Sequence, residues 1–299
     1  MRKTAAFLLI TLCLAVIMTG CDNKEKSYYK KQKKNTIFNV RGIGFDSDSN
    51  FLYAASGDGI HKYKNSSWYS PSKNAYNLTF LQTADKYLYT SGYTDRKNKT
   101  ALGLVRTVNE GKKFERIKSL DREGFQEFAV GAKTHTLYIL SPKKGGIFYS
   151  KDEGETWTKS HLKGLPTAEL GGMAAHPTEA GSLAIYAKNG IYLSNDNGNS
   201  FHLFPTDGAV TSMAFGSDSM VYSLQKESEI HMYVLDLKTK RTTELAGIPS
   251  VFSENPILYM AVDPDDGSRM AAASYNNEIF LSKDRGMTWE KIADKEKNK

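Results

Sequence analysis

Cysteine is nearly missing. Cys13 and Cys21 are the two in a chain of 299 residues, and both fall within the first twenty-one positions. The body of the protein therefore has no disulfide framework and no cysteine-based metal site, and its stability must come from a buried apolar core. Helical periodicity is missing as well: from Thr36 to Lys299, apolar β-rich runs alternate with Gly, Asn, Asp and Ser turns. So are the sequence marks of common chemistries. There is no H-E-x-x-H, no C-x-x-C, no phosphate-binding glycine loop and no G-x-S-x-G. The six histidines (61, 135, 161, 176, 202 and 231) are scattered, and His176, before Pro177, reads as a satisfied turn residue.

A membrane-spanning run is lacking too. The uncharged, mostly apolar stretch from Ala5 to Met18 falls short of the roughly 20 residues that a spanning helix needs. With Arg2 and Lys3 before it, it fits the core of a signal peptide. It ends in Met18-Thr-Gly-Cys21, which resembles a lipobox, although Leu is more usual where Met18 stands. Residues 1–20 are thus expected to be a lipoprotein signal peptide, with Cys21 as the lipidated first residue of the mature chain.

Excess charge is absent from the body. Of the formal +7, Arg2 and Lys3 carry two charges and residues 22–35 a net four, so the remainder holds only +1. The Lys-rich stretch is expected to be a tether (21–35) lying against anionic headgroups beside the lipid. This places the protein, as a monomer, on the extracytoplasmic side of the cell membrane. Nucleic acid is not expected as a partner, because the basic charge sits outside the body and no groove-reading element accompanies it. No cofactor or metal is expected. Asp46-Ser-Asp48-Ser-Asn50 begins like a calcium loop but lacks its glycine and distal Glu. Asp263-Pro-Asp265-Asp266-Gly occupies the equivalent turn, so solvated turn chemistry accounts for both.

What the chain does contain is a repeat. Ser150-Lys-Asp-Glu-Gly-Glu-Thr-Trp157, Ser194-Asn-Asp-Asn-Gly-Asn-Ser-Phe201 and Ser282-Lys-Asp-Arg-Gly-Met-Thr-Trp289 share the pattern S-x-D-x-G-x-[ST]-[WF]. Thr107-Val-Asn-Glu-Gly-Lys-Lys-Phe114 is a weaker copy. Asp152, Asp196 and Asp284 lie 44 and 88 residues apart, and Asn109 and Asn65 continue the series backwards at 43 and 44. The missing member falls near Asp236–Arg241, a turn without the motif. Six units of four antiparallel strands follow over residues 36–299, an all-β six-bladed propeller. An inner-strand column reads Gly44, Phe80, Ala129, Ala174, Ala214 and Ala261, mostly the small residues that a crowded axis requires.

The pattern matches the Asp-box of BNR-type propellers, and the chain resembles that family. Its members include sialidases, xyloglucan-degrading glycoside hydrolases, sortilin-type receptors and a photosystem assembly factor. In the box, Asp152, Asp196 and Asp284 are expected to accept turn N–H groups. Gly154, Gly198 and Gly286 should supply positive φ, and Trp157 and Trp289 should pack between blades. The sialidase branch implies three arginines, a Tyr-Glu pair and an early [FY]-R-I-P strand. Here that strand is Asn39-Val-Arg41-Gly-Ile, and the other body arginines (96, 106, 116, 122, 241, 269 and 285) lie outside the inner-strand segments.

Function in such a fold is expected on the face opposite the boxes. The residues expected to bind a ligand there are Tyr93, Asp95, Arg96, Glu127, Tyr275 and Asn276. Two functions compete. One is non-enzymatic binding or assembly with an envelope protein or glycan. The other is a glycoside hydrolase using two carboxylates among Asp58, Asp95, Glu123, Glu127, Glu169 and Asp207. It requires about 5–5.5 Å between them for retention or 6.5–9.5 Å for inversion. Short loops, with no insertions to wall in a substrate, favour binding.

Overall fold

The computed structural model describes residues 27–47, 51–72, 76–85, 87–94, 100–117, 125–166, 170–249 and 251–295. Cys21, Asp95, Arg96, Glu123 and Glu169 lie outside them. The described residues form strands and turns with no helix.

Six antiparallel sheets surround an axis. In blade three, Glu127–Val130, Leu137–Ser141, Gly146–Ser150 and Thr158–Lys159 run from the axis outward. Blade four repeats this with Leu170–Ala175, Leu183–Ala187, Gly190–Ser194 and His202–Pro205. Blade five has Ala209–Phe215, Ser219–Lys226, Glu229–Asp236 and Thr242–Glu244, and blade six Ile257–Val262, Met270–Ser274, Ile279–Ser282 and Glu290–Ala293. The inner strands contact one another in sequence, and that of blade six returns to Gly42–Phe45 of blade one. Second strands such as Leu52–Ser56, Leu137–Ser141 and Met270–Ser274 are buried throughout. They are covered on both faces by neighbouring blades, so they read as unbroken runs of small and apolar residues. Outer strands such as Thr158–Lys159 are exposed.

The core is divided among the interfaces between blades, with one apolar cluster at each of the six. Among the described residues blades one and six share no strand ladder, only an isolated parallel bridge between Thr36 and Asp294. Closure rests instead on packing of Ile43, Phe45, Leu52 and Trp68 against Ala271, Ala273, Ile279 and Ile292. The fully buried Trp68 also donates from Nε1 to the Ile292 carbonyl at 2.8 Å.

Two expectations need correction. The tether drawn over 21–35 is part of the fold in its second half. Tyr29–Lys31 is a fifth strand on the outer edge of blade one, paired with Ser67–Pro71. Charge hid it, because an edge strand facing solvent tolerates lysine. The axial column also shifts by two residues in blade two. Gln82, rather than Phe80, stands level with Gly44 and Ala129, since Gln82 pairs with Tyr89 as Ala129 pairs with Tyr138. The inner strand of blade two is broken into Asn77–Leu78 and Gln82–Ala84, and Phe80 sits in the break.

The box turns are built on a buried serine. Ser150 Oγ accepts from Gly154 N at 2.8 Å and donates to Asp152 Oδ1 at 2.7 Å. Asp152 in turn accepts from Thr156 N at 2.9 Å and from its hydroxyl at 2.5 Å. Ser194 with Asp196 and Ser282 with Asp284 repeat these bonds. Thr107 with Asn109 keeps them apart from the hydroxyl–carboxylate bond. Gly154 has φ 95°, and a Cβ on it would collide with Ile117 of the preceding blade. Gly198 and Gly286 are also left-handed. Asp236 caps the unboxed turn of blade five through Lys238 N and Thr239 N, and Asn65-Ser66, both at positive φ, make the tight hairpin of blade one.

Candidate functional site

The connecting loops and the turns between second and third strands share the end of the propeller opposite the boxes. There the inner strands open a cavity of about 280 Å³ on the axis. Arg41, Phe80, Glu127, Gly172, Tyr186, Thr211 and Tyr259 line it, from all six blades.

Each of these side chains is placed by a local device. Arg41 stands one residue before the inner strand of blade one, its N–H bonded to the Ala55 carbonyl at 2.9 Å. Phe80 occupies the break in blade two and stacks on Phe125 with centroids 5.3 Å apart. Glu127 opens the inner strand of blade three opposite Leu140. Tyr186 belongs to the second strand of blade four, where a core residue is expected, yet its ring reaches the axis. It does so because the inner strand bulges between Leu170 and Met173 and carries no side chain at Gly171 or Gly172. A Cβ at Gly172 would come within 2.8 Å of the Tyr186 ring, and one at Gly171 closer still. The Tyr186 hydroxyl donates to the Thr211 carbonyl at 3.2 Å. Tyr259 follows a similar bulge in blade six, between Ile257 and Tyr259.

The electrostatics of the mouth centre on Glu127. Burial raises its pKa to about 7, so near neutrality the carboxyl exchanges between a hydrogen-bond donor and an anion. Burial also raises the phenols of Tyr186 and Tyr259, and both remain protonated. At Tyr259 the Arg41 guanidinium opposes that shift through its charge and a hydrogen bond to the phenol. Among the described residues the mouth therefore offers one cation, two phenols and one proton-exchanging carboxyl beside the Phe80–Phe125 stack.

Of the residues singled out from sequence, Glu127 lines this mouth. Tyr93 lies in the short strand Gly92–Tyr93, paired with Asn77–Leu78, and is partly exposed. Tyr275 and Asn276 form the outer turn of blade six, with Tyr275 exposed and Asn276 N bonded to Asn255 Oδ1 at 2.8 Å. These three share the face with Glu127 but do not line the cavity. Asp58 is bonded to His61 at 2.8 Å and Asp207 to Lys226 at 2.6 Å. Arg41, Phe80, Tyr186 and Tyr259 were not singled out as site residues. The one sequence signal for them is Gly171-Gly172 in an inner strand with an aromatic in the strand beside it.

A larger hollow of about 720 Å³ lies on the box face between blades one and three. Its charges are matched to one another: Lys62 to Glu110, Arg106 to Glu153, and Lys133 and His135 to Asp85. Asp263, in the turn equivalent to the Asp46–Asn50 segment that begins like a calcium loop, holds Arg269 at 2.7 Å and accepts from Asp265 N and Asp266 N. Among the described residues no group of three or more His, Cys, Asp or Glu is arranged to hold a metal.

The fold recurs in solved structures. A GH74 enzyme of Niastella koreensis superposes with TM-score 0.58 at 17% identity, covering 89% of this chain and 47% of its own. This chain thus spans less than half the length of that enzyme. YCF48 bound to a D1 peptide gives 0.52 at 13% identity, covering 89% and 85%. The extracellular domain of a putative one component system from B. thetaiotaomicron gives 0.52 at 14%, covering 85% and 33%. At such identities the likeness is one of fold. No curated protein matches the sequence. The family model described as Sortilin-Vps10 (sortilin, neurotensin receptor 3) matches residues 103–256, just over half of the chain and including three of its four box turns. By that match, and by the propeller that carries it, the chain belongs to the Sortilin-Vps10 family.

Proposed function

We propose that this propeller is a lipid-anchored, extracytoplasmic binding module that takes an envelope protein or glycan at its axial mouth and does not convert it. The observation that carries this reading is the set Arg41, Glu127, Tyr186 and Tyr259 around one open cavity beside the Phe80–Phe125 stack. Phenols, a guanidinium and an aromatic platform suit recognition of a polar ligand with apolar faces. Two of the structural neighbours illustrate the range of the fold, one an enzyme and the other a protein bound to a peptide.

One observation favours the hydrolase reading: a carboxyl held near pH 7, as in Glu127, is the state of a general acid. Such a mechanism needs a second carboxylate across the scissile bond. Among the described residues Glu127 is the one carboxylate lining the mouth. Binding uses every group seen there, whereas hydrolysis needs one more.

The reading is tested by equilibrium binding of the detergent-solubilised chain to envelope polysaccharides, sialosides and isolated envelope proteins. Arg41→Ala and Tyr259→Ala should weaken saturable binding, and Asp152→Asn on the opposite face should leave it intact. Binding untouched by the first two changes would place the ligand elsewhere.

A further inference from the structure

The edge strand Tyr29–Lys31 fixes where the chain enters the propeller. Tyr29 is buried, and its hydroxyl donates to the carbonyls of Ile60 at 3.0 Å and Glu110 at 2.5 Å. Tyr28 reaches the Gly111 carbonyl at 3.0 Å, and Ser72 N donates back to Tyr28 O at 2.7 Å. The entry point is thus stapled to blades one and two. Seven residue steps separate Tyr28 from Cys21, and they reach about 25 Å at full extension. A unit of this size is roughly 45–50 Å across. An acyl group at Cys21 can therefore bring the rim of blade one to a bilayer, while the rim of blade four, opposite in the ring, stays away.

That rim is basic. Lys30, Lys31, Lys33 and Lys34 are exposed along it, and Lys112 and Lys113 flank the Gly111 carbonyl that Tyr28 binds. Acids beside it are already engaged: Glu110 by Lys62, Glu115 by Arg106, and Asp294, whose N–H binds the Asn35 carbonyl, by Lys291.

We propose that the outer edge of blade one is a docking surface for anionic lipid headgroups, so that the propeller stands on its rim with its axis close to the membrane plane. The axial mouth then opens sideways, accessible to a ligand in the envelope space. The proposal rests on the lipid-anchor reading. The lysines add orientation to the anchor, since their attraction to an anionic surface acts within a Debye length.

The acylated mature chain offers no other thiol, so a single introduced cysteine can carry a fluorophore. Asn35→Cys marks the rim where the edge segment of blade one meets blade six, and Leu203→Cys the exposed outer strand of blade four. Each labelled chain is reconstituted into vesicles of phosphatidylcholine, with or without phosphatidylglycerol, that contain a headgroup-nitroxide quencher. The expected result is strong quenching at position 35 with phosphatidylglycerol and little at 203. High salt, or Lys30→Gln, Lys31→Gln, Lys33→Gln and Lys34→Gln combined, should reduce quenching at 35 to the level of phosphatidylcholine alone. Salt acts on the otherwise unaltered chain, so the test survives a poorly folding variant. Equal quenching at both positions, or quenching at 35 indifferent to lipid charge and salt, overturns the orientation while leaving the anchor standing. An intact mass without acyl groups at Cys21 overturns the anchor and the orientation together.

Discussion

The ring of Tyr186 occupies the space that a side chain at Gly171 would fill, so the phenol reaches the axis only because that position is glycine. Gly171→Ala should force the ring aside or the strand outward, costing about 1–3 kcal/mol. Urea melts check the stability, and the binding assay checks the site. In a Tyr186→Ala background, which itself weakens binding, Gly171→Ala should cost little further stability, a coupling that a double-mutant cycle measures directly. Additive losses would mean that the two residues are independent.

Glu127 makes stability depend on pH. Its folded pKa is raised from 4.5 to about 7, so the folded state holds a proton that the unfolded state has released. The contribution of Glu127 to stability should be greatest below pH 4.5, fall as pH rises through that interval and level off above 7. Glu127→Gln should therefore leave stability unchanged at pH 4 and raise it by roughly 3 kcal/mol at pH 8. Denaturant melts at the two pH values decide it. An equal effect at both would remove burial of the charge as the cause.

The box serine is more deeply buried than the box aspartate. Ser194 is 2% exposed and satisfies the buried Gly198 N–H, whereas Asp196 is exposed. Ser194→Ala should cost about 1–3 kcal/mol through that orphaned donor, and Asp196→Ala less. Neither should change ligand binding per folded molecule. Asp152 and Asp284 are lowered to about 2, first by the hydroxyls of Thr156 and Thr288 and then by backbone N–H groups. Their contribution is present above pH 3.8 and lost as pH falls through about 2. Acid unfolding of Asp152→Asn measured against the parent chain checks this.

Much of this architecture was legible, for a physical reason. The box must place a hydroxyl, a carboxylate and a left-handed glycine at fixed offsets, so Ser150, Asp152 and Gly154 recur as letters at a constant period. The mouth was less legible because it is made by departures from the repeat. Tyr186 sits where a core aromatic would, and only the bulge at Gly171-Gly172 turns it inward. Arg41 shows its role through proximity to Tyr259, more than two hundred residues away. Phe80 aligned with the axial column because the break between Leu78 and Gln82 leaves no mark in composition. Lys30 and Lys31 concealed a strand that Tyr28 and Tyr29, being aromatic, could have hinted at.

The anchor has its own test in cells. Cys21→Ser should yield either an uncleaved precursor or a processed chain released from the membrane, read by fractionation and intact mass. A correctly processed Cys21→Ser chain retained on the membrane in high salt would contradict lipidation as the means of attachment.

The axial mouth is proposed to recognise a ligand without converting it. The most direct measurement is mass spectrometry of ligand after prolonged incubation with the full chain, across envelope and plant polysaccharides and sialosides. It should be run beside a binding isotherm for the same ligand. The expected result is saturable binding that Arg41→Ala and Tyr259→Ala weaken, with ligand masses unchanged at every pH from 5 to 8. Shortened saccharide that accumulates with the parent chain and vanishes with Glu127→Gln would contradict it and make the propeller a glycoside hydrolase.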